Sequence, residues 1–293
     1  MPVIVKIMGG LGNQMFQYAA GRALSSRFNT ELKLDNSWFL SVGSDTFRVP
    51  MLNTFPIKAT EASKKEINNL IYVKQNIVQK LLKRKRRRAP SYITEKTFDY
   101  SSDFVSIKPP AYLSGYWQNE KYFSDISSLI RCEFKFPDFS SKEAAITAQK
   151  ISASSCSVCV HVRRGDYIEN PEANKYHGVC SMDYYKNALK IIKENNNSAE
   201  LFIFSDDPAW INNNFDTNGF SAVIIDIKEH KEEPFHDMHL MSLCKNFIIA
   251  NSSFSWWGAW LSSLNGKVIA PKQWFLDENM KNFNPSLPSW TTI

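Results

Sequence analysis

Four residues able to handle charge, His161, Arg163, Arg164 and Asp166, fall within six positions around Gly165, directly after an apolar run from Cys156. Val and Cys favour a buried strand, and Gly165 with Asp166 reads as the turn that ends it. Two adjacent guanidinium groups there are costly beside a core unless an anion is present. Their forked N–H groups match phosphate oxygens bidentately, so the simplest ligand is a phosphate or diphosphate. The competing reading is a solvated turn in which the arginines pair with Asp166 and a neighbouring acid.

Other polar groups recur at comparable places. Leu201–Phe204 (LFIF) runs into Ser205, Asp206 and Asp207, and Phe247–Ala250 (FIIA) runs into Asn251, Ser252 and Ser253. Ser252 and Ser253 suit helix N-cap positions, where hydroxyls and orphan N–H groups face outward together. Opposite the arginines they would complete a phosphate clamp. Adjacent carboxylates suit a divalent cation poorly without further acids, so at least one of Asp206 and Asp207 reads as a turn cap. Asp237 could accept the paired N1–H and N2–H₂ of guanine, or serve as a helix N-terminal carboxylate favoured by the dipole; the sequence does not separate the two.

These clusters need a parallel sheet to bring them together. Val3–Met8 reads as a strand, Gly9–Gln14 as a Gly-rich turn, the stretch to Arg27 as a helix and Glu31–Asp35 as a second strand. This β-α-β unit presents Gly10, Gly12 and Asn13 at a helix N-terminus. The second half alternates in the same way: strands at 156–162, 201–204, 222–225, 247–250 and 267–270, and helices near 182–195, 235–244 and 254–264. Such alternation predicts an α/β fold with parallel sheets covered on both faces, and ligands bind beyond the strands' C-terminal ends in such folds. A dinucleotide-binding fingerprint competes for Gly10-x-Gly12, with Asp35 as the ribose acid, but Met15 stands where its third glycine belongs. Residues 1–150 are expected to form an N-terminal Rossmann-like domain and 151–270 a second one that binds the anion. Ser140–Ser155 would be a polar helix and linker, and 271–293 a tail able to pack back on the N-terminal domain.

The formal charge of +6 resides in one run, Lys83–Arg88, without which the chain is neutral. Lys64–Arg88 reads as one or two helices closed by this run. Its basic residues are then a solvated helix end complementing the dipole, or a peripheral contact with an anionic membrane surface or a lipid-linked substrate. No recognised nucleic-acid module accompanies them. Five cysteines, at 132, 156, 159, 180 and 244, make no disulfide framework in a chain of 293 residues. Cys156 and Cys159 diverge on a strand, which argues against a redox or metal pair. Nothing approaches the roughly twenty apolar residues of a membrane span, and a cytoplasmic location is expected.

Gly9–Tyr18 (GGLGNQMFQY), His161–Asp166 (HVRRGD), Phe204–Asp207 (FSDD) and Asn251–Trp257 (NSSFSWW) together resemble the bacterial α-1,2-fucosyltransferases, in order and across nearly the whole chain. The resemblance implies a GT-B-like architecture of two facing Rossmann-like domains. It further implies inverting, metal-independent transfer of L-fucose from GDP-β-L-fucose to the 2-hydroxyl of a terminal β-galactoside, as in O-antigen synthesis. No cofactor is implied beyond that donor, and the acceptor can be lipid-linked. Animal relatives carry an N-terminal anchor that is not seen here, which implies bacterial cytoplasm, at the inner face of the membrane if the acceptor is held there. Carried across by position, Arg163 neutralises the departing diphosphate with Arg164 beside it. His161 and Asp237 contact guanine, Ser252 and Ser253 meet the phosphates, Asn251 counts among the donor-binding residues, and Gly10, Gly12 and Asn13 approach the diphosphate or fucose. The proton acceptor is expected at Asp166 or Glu169, with Glu172 and Asp35 as alternatives. A protein of the same fold that only binds nucleotide sugars or carbohydrate is the competing function.

Overall fold

Short apolar runs without a polar face are the mark of parallel strands covered on both sides. In the computed structural model, which describes residues 1–40, 48–75, 79, 84–165, 174–176, 178–227, 230, 233–280 and 282–293, such runs build two separate parallel sheets. Each lies in its own unit, Met1–Lys135 or Phe136–Ile293. These are two Rossmann-like α/β units, the pair that a GT-B-like chain carries.

In the first unit the elements run β1 (Val3–Lys6), α1 (Leu11–Arg27), β2 (Leu32–Asp35), β3 (Thr60–Glu61), α2 (Lys64–Ile71), β4 (Tyr92–Thr94), β5 (Ala111–Ser114) and α3 (Ser127–Glu133). The strands lie in the order β3-β2-β1-β5-β4. Helix α1 is buried on almost every side, so its polar residues must be satisfied internally. Gln17 accepts the Met8 N–H at 2.9 Å and donates to the Met8 carbonyl. Gln14 donates to Gly9 and Val49 and accepts from Met51. The glutamines of the Gly-rich stretch therefore tie down the turn before the helix.

Gly21 sets how closely α1 approaches the sheet. A Cβ there would stand 2.2 Å from Val5 Cγ2 and 3.0 Å from Leu32 Cδ1. Gly21→Ala gains about 1 kcal/mol of helix propensity, but a methyl driven into a β-branched strand side chain loses about 1–3 kcal/mol or more. The clash is expected to win, lowering the denaturation midpoint in urea. A midpoint equal to or above the parent's would contradict this packing.

The expectation of one or two helices over Lys64–Arg88 is corrected at its end, where the basic run was to close the helix. Helix α2 begins at a capping box, with the Ser63 hydroxyl accepting from Glu66 N and the Glu66 carboxylate accepting from Ser63 N. It stops at Ile71, and Tyr72 turns to extended backbone. Arg84–Arg88 are not helical; Arg88 bridges antiparallel to Tyr72. The reading of these arginines as a helix's last turn fails. Lys83, Ile77, Val78, Leu81 and Leu82 lie outside the described residues.

The second unit contains α4 (Lys142–Ala153), β6 (Ser157–Val162), α5 (Met182–Asn195), β7 (Glu200–Ser205), α6 (Pro208–Asn214), β8 (Ser221–Ile225), α7 (Phe235–Ser242), β9 (Asn246–Ile248), α8 (Ser253–Leu261), β10 (Val268–Ala270) and β11 (Thr291–Thr292). The sheet order is β11-β10-β9-β6-β7-β8. The boundary expected at 150/151 is displaced to 135/136 because α4 packs against α7 and the Ser140 hydroxyl meets Glu233 and His236. The helix expected at Ser140–Ser155 is present, but as part of this unit and not as a linker. The tail belongs here too: Thr291 and Thr292 pair with Ile269 and Ala270, and Trp256 Nε1 donates to the Pro285 carbonyl.

Candidate active site

Strand β6 is central and wholly buried. Alternation divides its side chains between two faces. Val158, Val160 and Val162 join the cluster containing Tyr185, Leu189 and Ile192 of α5. Cys159 and His161 point to the other face. The register pairs Val162 with Ser205 of β7, so the residues that follow both strands emerge side by side.

There the Arg163 Nε meets Asp206 Oδ2 at 3.2 Å. The other oxygen of Asp206 accepts the Arg164 N–H at 2.8 Å, and the Gly165 N–H adds a further bond to this carboxylate. Burial works to raise the Asp206 carboxyl, but the Arg163 charge and these two amides outweigh it and hold it below its usual range. Asp206 is thus an ionised brace that fixes the turn and one edge of the Arg163 guanidinium. A Cβ on Gly165 would come within 3.3 Å of its carboxyl carbon. Asp207 does the capping expected of one member of the pair, accepting the Trp210 N–H at 3.0 Å with Pro208 at the start of α6. The Arg164 guanidinium lies 4.1 Å from the Trp210 ring centroid, a cation–π contact. Trp210 was not legible as a site residue; the only hint is an aromatic three positions after a helix cap.

Strand β9 flanks β6 on its other side and leads into Asn251–Ser253. Ser252 is the N-cap of α8, its hydroxyl accepting from the Phe254 N–H at 3.3 Å. Ser253 opens the helix, so the first-turn amides stand at the same sheet edge as the arginines. Asn251 is 4% exposed, and its amide braces neighbouring chain: Nδ2 donates to the Gly178 and Trp274 carbonyls and Oδ1 accepts from the Cys180 thiol.

His161 is 4% exposed, with Nδ1 buried and unpaired. Burial, and secondarily the Arg163 charge, pushes its pKa down to about 3, so the ring is neutral at ordinary pH. It lies near the Phe254 ring of α8. On the same face of β6, burial pushes the Cys159 thiol up, with Cys244 and then the Asp237 charge adding to the effect. That places the Asp237 carboxylate beside this face. One of its oxygens accepts from His230 Nδ1, a partner that sequence spacing did not reveal. Cys156 instead borders Asn246, so the two sulfurs of the Cys156–Cys159 pair keep different neighbours.

In the first unit, Gly9 takes a φ of +77 and Gly10 is the N-cap of α1. Among the described residues a Cβ on Gly10 would meet nothing within 4 Å, so packing does not demand this glycine. Gly12 is buried in the first turn. Asn13 accepts from Gln118 Nε2 at 2.7 Å. Gln118 follows Tyr116 and Trp117, whose N–H groups both donate to Glu95; burial raises the Glu95 carboxyl to about 7. Asp35 is committed as an acceptor for Tyr112 OH at 2.6 Å and Ser37 N–H at 2.9 Å. This removes it as a ribose acid or proton acceptor. Asp166, Glu169 and Glu172 lie outside the described residues.

A model of glycosyl transferase family 11 matches residues 3–293. An alpha-1,2-colitosyltransferase of Escherichia coli is 37% identical over 99% of this chain and 98% of its own length. The Escherichia coli O-antigen biosynthesis glycosyltransferase WbnK is 34% identical over 98% of this chain and 99% of its own. Galactoside alpha-(1,2)-fucosyltransferase 1 of Ateles belzebuth is 23% identical, across 97% of this chain and 73% of that protein.

Proposed function

The chain belongs to glycosyl transferase family 11, and from that premise we propose that it moves L-fucose from GDP-β-L-fucose to the 2-hydroxyl of a terminal β-galactoside, with inversion at the sugar's C1. The observation that carries this reading is the Asp206-braced Arg163, set at the end of the central strand beside the Ser252-capped helix. Charge builds on the diphosphate as the bond from C1 to its oxygen breaks. A preorganised guanidinium and helix N-terminal amides stabilise that charge where it develops, a role that needs no metal. The acceptor's 2-hydroxyl attacks C1 from the opposite side and releases its proton to a carboxylate, which we assign to Asp166 or Glu169. His161 and Asp237 hold the guanine. An O-antigen unit, free or on a lipid carrier, is the proposed acceptor class, in keeping with the name of the WbnK relative.

The colitosyltransferase relative favours a second reading. Colitose is L-fucose without its 3-hydroxyl, so a site for one differs from a site for the other at a single position of the ring. Incubation of the protein with a β-galactoside and either GDP-fucose or GDP-colitose, followed by linkage analysis, tests both. Release of GDP with a new α-1,2-fucoside supports the first reading, and turnover of GDP-colitose alone supports the second. Nucleotide-sugar binding without transfer from either donor would leave the binding-only function.

A further inference from the structure

We propose that Arg84–Arg88 form a docking surface by which the N-terminal unit sits on an anionic phospholipid membrane. All five residues are exposed, and among the described residues no acid pairs with them. Their backbone is anchored. The Val73 N–H donates to the Arg87 carbonyl at 2.9 Å, the Ala89 N–H to Ile71 at 3.0 Å, and Gln75 Nε2 to the Arg84 carbonyl. Two of the side chains are placed as well: Arg86 and Arg88 lie over the Tyr72 ring, at 4.7 and 4.8 Å, and Arg88 lies 4.4 Å from the Tyr92 centroid. Tyr92 in turn stacks on Tyr112, whose hydroxyl is held by Asp35. A guanidinium over an aromatic face keeps its in-plane N–H groups directed outward, so this face offers phosphate-matching donors that need little ordering on contact.

The chemistry favours a lipid surface over a nucleic acid. Single-stranded nucleic acid gains much of its affinity by stacking bases on aromatic rings, and both rings here are occupied, Tyr72 by two guanidinium groups and Tyr92 by Arg88 and Tyr112. What remains is charge without stacking or base-reading groups, the requirement for a surface of phosphate headgroups. The rest of the chain is neutral once the run is set aside, so no wider field directs the protein elsewhere. No described helix is long and apolar enough to cross a membrane, and the attachment proposed is peripheral. It holds whichever sugar is transferred.

The test is co-sedimentation of the full chain with phosphatidylcholine vesicles, with and without phosphatidylglycerol. The triple variant Arg84→Gln, Lys85→Gln, Arg87→Gln leaves the tyrosine-stacked Arg86 and Arg88 in place. The parent is expected to bind only the anionic vesicles and to be released by high salt, as a surface charge contact must be. At about fivefold per basic residue, the variant should lose roughly 100-fold in partitioning, with transfer to a soluble acceptor unchanged. Equal partitioning of parent and variant, or no preference for the anionic vesicles, would overturn the proposal. So would binding to a single-stranded oligonucleotide as tight as to those vesicles.

Discussion

Replacing Arg163 by lysine should lower turnover at least a hundredfold while leaving the fold intact. The Asp206 carboxylate that now faces Arg163 Nε at 3.2 Å still has a cation to pair with and keeps its bonds to the Arg164 and Gly165 amides, so the turn after β6 has no cause to collapse. What disappears is the planar fork. An ammonium is a compact point charge that cannot brace against Asp206 on one edge and grip diphosphate oxygens on another. Loss of one preorganised donor to a developing charge is worth roughly 100-fold to 1,000-fold in kcat. An interaction realised mainly in the transition state reduces kcat and kcat/KM together. Steady-state kinetics beside a thermal melt decides the matter: near-normal kcat in a folded variant would remove Arg163 from the reaction.

The second large effect is expected at Asp237. In Asp237→Asn the side-chain carbonyl should keep the oxygen position now facing His230 Nδ1, because only an oxygen can accept that proton. The amide nitrogen is then forced into the other position, where it presents donors to the donors of guanine. A charge-assisted hydrogen bond contributes about 1.5–3 kcal/mol, so KM for the guanosine donor should rise by roughly 10-fold to 100-fold with a smaller change in kcat. Xanthosine diphosphate, which carries a carbonyl where guanine has its amino group, should bind the variant better than the parent. Competition by the two diphosphates provides the measurement. Unchanged GDP affinity would leave Asp237 as a helix-end carboxylate held by His230 and nothing more.

Much of this arrangement was readable from residue order because parallel α/β units write themselves locally. Val-rich runs without a polar face became β1 and β6, Ser252 became the N-cap of α8, and the polar clusters after β6, β7 and β9 emerged at one sheet edge because all three strands run the same way. Pairings between distant residues were not readable. That Arg163 would choose Asp206, forty-odd positions away, depends on the Val162–Ser205 register, which no local pattern encodes. His230 beside Asp237 and Trp210 beneath Arg164 are likewise products of packing. The basic run misled for a different reason. Lys and Arg have good helix propensity, and only the pairing of Arg88 with Tyr72 reveals extended chain. The domain border moved because a polar surface on α4 resembles a linker in sequence, while its buried Ala144 and Ile151 anchor it to the second unit.

The most direct measurement is a crystal structure of the protein soaked with GDP. The β-phosphate is expected within hydrogen-bonding distance of the Arg163 guanidinium and of the amides at the start of α8, with Asp206 still holding the arginine from behind. A nucleotide seated away from the C-terminal edge of β6, or an Arg163 side chain turned from it, would contradict the account.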